Sequence, residues 1–187
     1  MKFFTFALAF LASGTYASVL RERSSEPIKT VVTDITKDID SLAAVVNSFP
    51  ASGKGSIQRA AVKLNSDLTE GTATVESSEK LTPEEASGLA TAIQGLIQKT
   101  QDLANLFKSF RPAAEEVNAC VLVYSNLQTT IQEARDFMSA VASKMPAEAE
   151  ASVADNVHKL LSVFEDLQKY YSPENCKNSD GSAAPSN

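Results

Sequence analysis

The sequence contains no tryptophan, one histidine and two cysteines among its 187 residues. A metal site built from several histidines or from four cysteines cannot form within this chain, and no bound metal is expected. Lys and Arg number 17 against 23 Asp and Glu, which gives a formal net charge of -6. Because proteins that follow a phosphate backbone concentrate basic residues, nucleic acid is not expected as a partner.

Catalytic motifs are also missing from the sequence. It has no GxSxG turn, Cys-His signature, Walker loop, GxGxxG loop or EF-hand spacing. His158 would have to act as a base without a partner. The acidic pairs Glu84-Glu85 and Glu115-Glu116 lie at expected helix starts, where negative charge interacts favourably with the helix dipole. The sequence therefore predicts a protein that is not an enzyme and needs no cofactor.

Long apolar runs are absent except near the N-terminus. Residues 3–12 are nearly all apolar, Lys2 precedes them, and small residues at positions 15 and 17 match the pattern that signal peptidase reads. We expect a signal peptide over residues 1–17, cleaved after Ala17. The alternative, a transmembrane anchor, is disfavoured because a membrane span needs about 20 apolar residues and this run is shorter. Residues 177–187 are polar and lack the hydrophobic segment of a lipid-anchor signal. The chain is thus expected to be secreted and extracellular, without a membrane anchor, either free or held in the cell wall.

Apolar residues recur at spacings of three and four through five segments, which predicts five amphipathic helices. The segments are residues 27–49, 57–75, 83–110, 113–145 and 147–172. Thr82, Pro83 and Glu85 form a capping-box start for the third helix, and Arg111-Pro112 predicts a turn or sharp kink before the fourth. Long helices with short connectors are typical of an all-α, mostly antiparallel bundle.

The chain is expected to form one domain with a short extension at each end. We assign residues 18–26 to an N-terminal extension, 27–176 to the helical domain and 177–187 to a polar disordered tail. Residues 120–124 are apolar on every side and are expected to lie deepest in the core. Two cysteines in an oxidising compartment usually form one bridge, so we expect a disulfide between Cys120 and Cys176, with free or intermolecular thiols as the alternative.

The order of these features resembles the fungal hydrophobic surface-binding protein A family, which includes cell-wall galactomannoproteins. Besides the signal peptide, the resemblance rests on VVTDI at 31–35, DIDSL at 38–42, LTPEEA at 81–86 and the KMP break at 144–146. It implies a secreted all-helical domain that binds hydrophobic material. The resemblance further implies one of two modes, since some members hold a fatty acid between the helices, whereas others coat hydrophobic solids and recruit a secreted hydrolase there.

Three modes of action are compatible with the apolar stripes. A lipid carrier needs an apolar space between helices, whereas a surface adsorber needs helices that part to expose their stripes, with residues 52–55 as a hinge. A structural or effector-like protein with a solid core would instead bind a protein partner. For the carrier, Tyr124 or Thr100 would hold a carboxylate, although each candidate has an ordinary role in core packing. The candidate ligand-lining residues, taken from the deepest stripes, are Ile93, Leu96, Ile97, Thr100, Val121, Tyr124, Ile131, Met138, Leu160 and Phe164.

Overall fold

The computed structural model describes residues 14–182, and their side chains from Ser25 onward apart from that of Glu150. The chain forms five α-helices and a short 3₁₀ helix, Ala147–Ala149, and residues 14–182 contain no strand. The helices are α1 (Gly14–Asn47), α2 (Lys54–Ser77), α3 (Pro83–Glu116), α4 (Cys120–Lys144) and α5 (Glu150–Tyr170). The expected all-α bundle is confirmed. The signal peptide expected at residues 1–17 lies mostly outside the described residues and stays a prediction.

The five helices close into a ring. α1 packs against α2 and α3, α2 packs against α4, and α5 fills the gap between α4 and α3. Although α3 and α4 are consecutive in the chain, they barely touch, because α5 lies between them. Consecutive helices run in opposite directions. The apolar stripes of all five helices face the central axis of the ring, where they form one core. None of the described helices is both long and apolar enough to span a bilayer.

Short-range signals place several helix ends where the sequence predicted them. At the start of α3, the Glu85 amide donates to the Thr82 hydroxyl at 3.3 Å and the Thr82 amide donates to the Glu85 carboxylate at 2.9 Å. This reciprocal pair is the expected capping box. The N-terminal boundary differs, because α1 begins at Gly14 and includes Pro27 together with the expected extension. Proline is compatible with a helical backbone, since its ring holds φ near -65°.

The expected boundary at Arg111-Pro112 is wrong, because α3 continues through Pro112 to Glu116 and α4 begins at Cys120 instead of Ala113. Pro112 has no amide hydrogen for the Lys108 carbonyl, one turn earlier. The Tyr170 hydroxyl donates to that carbonyl at 3.4 Å. The chain breaks instead at Asn118, whose φ of 56° lies in the left-handed region that asparagine tolerates better than most residues.

Tyr171 supports the same stretch of α3 from the end of α5. Its side chain is fully buried, and its hydroxyl donates to the Phe107 carbonyl at 2.6 Å. Burial raises the pKa of Tyr171, so the hydroxyl keeps its proton. Together, Tyr170 and Tyr171 supply hydrogen-bond donors beside Pro112.

Replacement of Tyr171 by phenylalanine is expected to destabilise the protein by about 1–2 kcal/mol, because the change removes a buried hydrogen bond while keeping the ring. Urea unfolding would measure the loss. Tyr124→Phe is the matched control, since the half-buried Tyr124 hydroxyl has no hydrogen bond among the described residues. Equal stability of the two variants would show that the Tyr171 hydroxyl does not support α3.

The disulfide expected between Cys120 and Cys176 is present, and both cysteines are fully buried. It places the residues after α5 against the start of α4, which has no side-chain cap of its own. The Asn178 side-chain oxygen accepts the Cys120 amide hydrogen at 2.9 Å, and the Ser179 amide donates to the Glu115 carbonyl at 2.9 Å. Residues 177–182 of the tail expected to be disordered therefore make ordered contacts, because helix ends leave backbone groups without partners. Residues 183–187 lie outside the described part of the chain.

Candidate functional site

Two apolar cavities lie one above the other on the axis of the ring. The upper cavity has a volume of about 40 Å³ and is lined by all five helices. Its lining residues are Leu42, Ile57, Gln58, Ala61, Leu64, Thr100, Leu103, Ala104, Phe107, Leu122, Val123, Asn126, Leu127, Thr130, Phe164 and Leu167. Because every helix contributes, the cavity exists only in the assembled ring.

The lower cavity continues the same line along the axis and has a volume of about 10 Å³. It is lined by Ile35, Ile39, Leu64, Leu68, Leu96, Thr100, Ala134, Phe137, Leu160 and Phe164. Leu64, Thr100 and Phe164 line both cavities and separate them. Along α2 the two cavities extend from Ile57 to Leu68, a distance of roughly 16 Å at the helical rise. A continuous channel would require the side chains of Leu64, Thr100 and Phe164 to move apart.

The walls of both cavities are uncharged. Of the residues that the structure describes, no Asp, Glu, Lys, Arg or His lines either cavity. The Thr100 hydroxyl donates to the Leu96 carbonyl at 2.9 Å, and the Thr130 hydroxyl donates to the Asn65 side-chain oxygen at 2.7 Å. Both hydroxyls are thus used within the protein. The two remaining polar lining residues, Gln58 and Asn126, are partly or largely exposed at the edge of the upper cavity.

The lining residues expected from the sequence divide into three groups. Leu96, Thr100, Leu160 and Phe164 line one or both cavities. Ile93, Ile97, Ile131 and Met138 are buried but line neither, so they pack in the core. Val121 and Tyr124 are only half-buried and line neither cavity.

The expectation that residues 120–124 lie deepest is therefore wrong for part of the segment. Cys120 and Val123 are buried, whereas Val121, Leu122 and Tyr124 are half-buried. Tyr124 lines neither cavity, whereas Thr100 lines both and its hydroxyl donates to the Leu96 carbonyl. That either residue holds a carboxylate stays a prediction.

The candidate list taken from the deepest apolar stripes leaves out the small residues of the cavity walls. Ala61 and Ala104 line the upper cavity and Ala134 lines the lower one. A search for the largest apolar side chains selects residues that fill space, whereas a cavity lies where side chains are short. Alanines aligned with the apolar stripes, such as Ala61 on α2 and Ala134 on α4, are the sequence signal for these cavities.

A charge cluster in which only Asp38 is buried lies outside the cavities, where α1 packs on α2. The Lys63 ammonium group contacts the carboxylates of Asp38 at 2.6 Å and Asp67 at 2.8 Å. Burial raises the pKa of Asp38, while the hydrogen bond from Lys63 lowers the pKa of Asp67. One Asp38 oxygen is buried without a hydrogen-bond partner. This cluster ties α1 to α2, and none of its three residues lines the two axial cavities.

Comparison of the sequence with known proteins identifies one protein family. Residues 26–143 match the family model of hydrophobic surface binding protein A. Cell wall mannoprotein 1 of Aspergillus fumigatus is 22% identical over 173 residues, which cover 89% of this chain. The alignment spans 61% of that relative, so the relative is considerably longer than the matched region.

Solved structures with the same fold include two proteins that contain fatty acids. Ligand binding domain 1 of the Penicillium marneffei MP1 protein, complexed with arachidonic acids, superimposes with a TM-score of 0.78 at 13% identity. The match covers 80% of this chain and 99% of that domain. AFMP4P in complex with palmitic acid gives a TM-score of 0.75 at 18% identity, covering 79% of this chain and 99% of the other. At these identities the comparison establishes the shared fold.

Proposed function

Because this chain belongs to the hydrophobic surface binding protein A family, we propose that it is a secreted, non-catalytic protein that holds an acyl chain on the axis of its helical ring. The observation that supports this most directly is the pair of stacked apolar cavities, to which all five helices contribute. The match to cell wall mannoprotein 1 favours an extracellular location, with the cell wall as the proposed site.

Binding requires the ring to widen. The volumes of about 40 and 10 Å³ are far below the roughly 300 Å³ of a small ligand pocket. An acyl chain must therefore displace the side chains that separate the cavities, above all Phe164. The structural neighbours support this proposal, since two proteins of the same fold are described in complex with arachidonic and palmitic acids.

Palmitic acid provides the direct test. Native mass spectrometry of the secreted protein is expected to show a palmitate complex, since burial of the chain is driven by removal of apolar surface from water. At a free ligand concentration 100 times the dissociation constant, the complex should be more stable to unfolding by about 2.7 kcal/mol. If there is neither a bound mass nor a thermal shift, the carrier proposal fails, and the solid-core protein that binds a protein partner becomes the better interpretation.

Attachment to hydrophobic solids remains a proposal that the family name supports. The closed ring provides little surface for it, because Val62, 54% exposed, is the one large apolar side chain that is strongly exposed among the described residues. Adsorption would therefore require helices to part and turn their stripes outward. Recruitment of a secreted hydrolase to such a surface stays a prediction from the family resemblance.

A further inference from the structure

The contact between α2 and α4 contains a row of polar pairs. These helices run parallel, and the Thr130 hydroxyl bonds to Asn65 while the Thr69 hydroxyl bonds to the Glu133 carboxylate at 2.7 Å. One turn above Thr130 comes Asn126, and two turns above Asn65 comes Gln58. No hydrogen bond joins these last two side chains, and both line the upper cavity. The closed polar pairs therefore reach the wall of the upper cavity at Thr130, and the two amide side chains beyond it are not paired with each other.

The amide groups of Gln58 and Asn126 have unused hydrogen-bonding capacity at this point. Gln58 is exposed and makes no hydrogen bond with another described residue. Asn126 donates one hydrogen to the Leu122 carbonyl at 2.8 Å, and its side-chain oxygen accepts none from the described residues. Ala61, one helical turn after Gln58 on α2, also lines the upper cavity. An apolar cavity with a few unpaired polar groups at its edge is the usual arrangement of a site for an amphiphilic ligand.

The opposite end of the axis cannot hold a polar group. The lower cavity is lined by apolar side chains and Thr100, whose hydroxyl already donates to the Leu96 carbonyl. A carboxyl or hydroxyl group placed there would lose its hydrogen bonds to water without replacement. This free-energy cost favours a ligand orientation with the apolar end in the lower cavity and the polar head group at the upper one. The acyl chain therefore enters with its apolar end first.

We propose that the gap between α2 and α4, bounded by Gln58, Ala61, Leu122 and Asn126, is the entrance to the cavities and the binding site for the ligand's head group. This inference rests on the proposed lipid-carrier function. Side-chain amides both donate and accept hydrogen bonds but carry no charge. The site therefore selects single-chain amphiphiles with a hydrogen-bonding head group, charged or neutral, and discriminates against chains without one.

Three ligands of equal chain length test this selection: dodecanoic acid, 1-dodecanol and 1-chlorododecane, each competing with fluorescent cis-parinaric acid at pH 8. The natural protein is expected to bind the acid and the alcohol within about threefold of each other and the chloride about tenfold more weakly, the usual effect of one or two hydrogen bonds. In the Gln58→Leu/Asn126→Leu variant, the three affinities should converge to within about threefold. The single variant Gln58→Leu should lose part of the preference. Because Gln58 is exposed, this variant is expected to fold and tests the inference even if the double variant does not fold.

The matched control is Gln101→Leu/Asn105→Leu, which makes the same two changes on the exposed face of α3, away from both cavities. It should keep the preference of the natural protein. The inference is overturned if the Gln58→Leu and Gln58→Leu/Asn126→Leu variants retain the preference of the natural protein. It is also overturned if the natural protein prefers the acid over the alcohol by more than about tenfold, because that result would indicate a cationic head-group site elsewhere. If none of the three ligands binds, the proposed function itself fails, a result distinct from binding without discrimination.

Discussion

Replacing Cys120 and Cys176 together by alanine is expected to lower the free energy of unfolding by roughly 4 kcal/mol. The bridge joins positions 56 residues apart, and its loss allows the unfolded chain many more conformations. Alanine is preferred to serine because both positions are fully buried and a hydroxyl there would need a partner. The change should also release residues 177–182, which the bridge holds against the start of α4.

Urea unfolding monitored by circular dichroism measures the loss of free energy. In thermal unfolding, the melting temperature should fall by roughly 8–16 °C for a chain of this size. The natural protein unfolded in the presence of a reducing agent is the control and should match the variant. Asn178→Ala separates the contribution of the cap on α4 from that of the bridge. A loss below about 1 kcal/mol in the double variant would contradict the expectation that the bridge stabilises the ring.

Filling the upper cavity should have the largest effect on lipid binding. Ala104 lies on α3, is buried and lines this cavity. In Ala104→Leu the added carbons occupy the axis where the acyl chain must lie, so the affinity for palmitic acid is expected to fall by at least about 30-fold, or about 2 kcal/mol. The cost in stability should be smaller, about 1–2 kcal/mol, because the added side chain partly fills existing space.

A matched control is available on α4, where Ala140 is also buried but lines neither cavity. Ala140→Leu should destabilise the protein by a similar amount or more through overpacking, yet bind palmitic acid with nearly unchanged affinity. Titration calorimetry and urea unfolding of both variants separate the two effects. If both variants lost affinity in proportion to their stability, binding would depend on general packing and not on the axial cavity.

Helix existence could be predicted from the sequence because it depends on neighbours three and four positions apart. The apolar stripe of α1, the capping box at Thr82 and the break after Lys144 are all local signals. The boundary at Pro112 could not be predicted this way. The Lys108 carbonyl, which Pro112 leaves without an amide donor, accepts a hydrogen bond from the Tyr170 hydroxyl, 62 positions later in the chain.

The candidate site was predicted less well than the helices. Hydrophobicity correctly located the buried faces, but it did not distinguish Leu96 and Leu160, which line the lower cavity, from Ile93 and Met138, which fill the core. The difference depends on which residue of a facing helix lies opposite. Because α5 inserts between α3 and α4, a residue of α3 does not face the next helix in the chain. The order of helices along the sequence therefore does not indicate which side chains meet across the ring.

The sequence by itself determined that this protein is a bundle of amphipathic helices without a recognised catalytic motif, since periodicity and residue type are properties of the chain alone. Only the tertiary structure decided the disulfide between Cys120 and Cys176, the order of helices in the ring, the two cavities on its axis and the placement of two amide side chains at the edge of the upper cavity. Space between helices is set by how side chains from distant segments meet, and short side chains such as Ala61 and Ala104 leave a cavity only when the ring has closed around them.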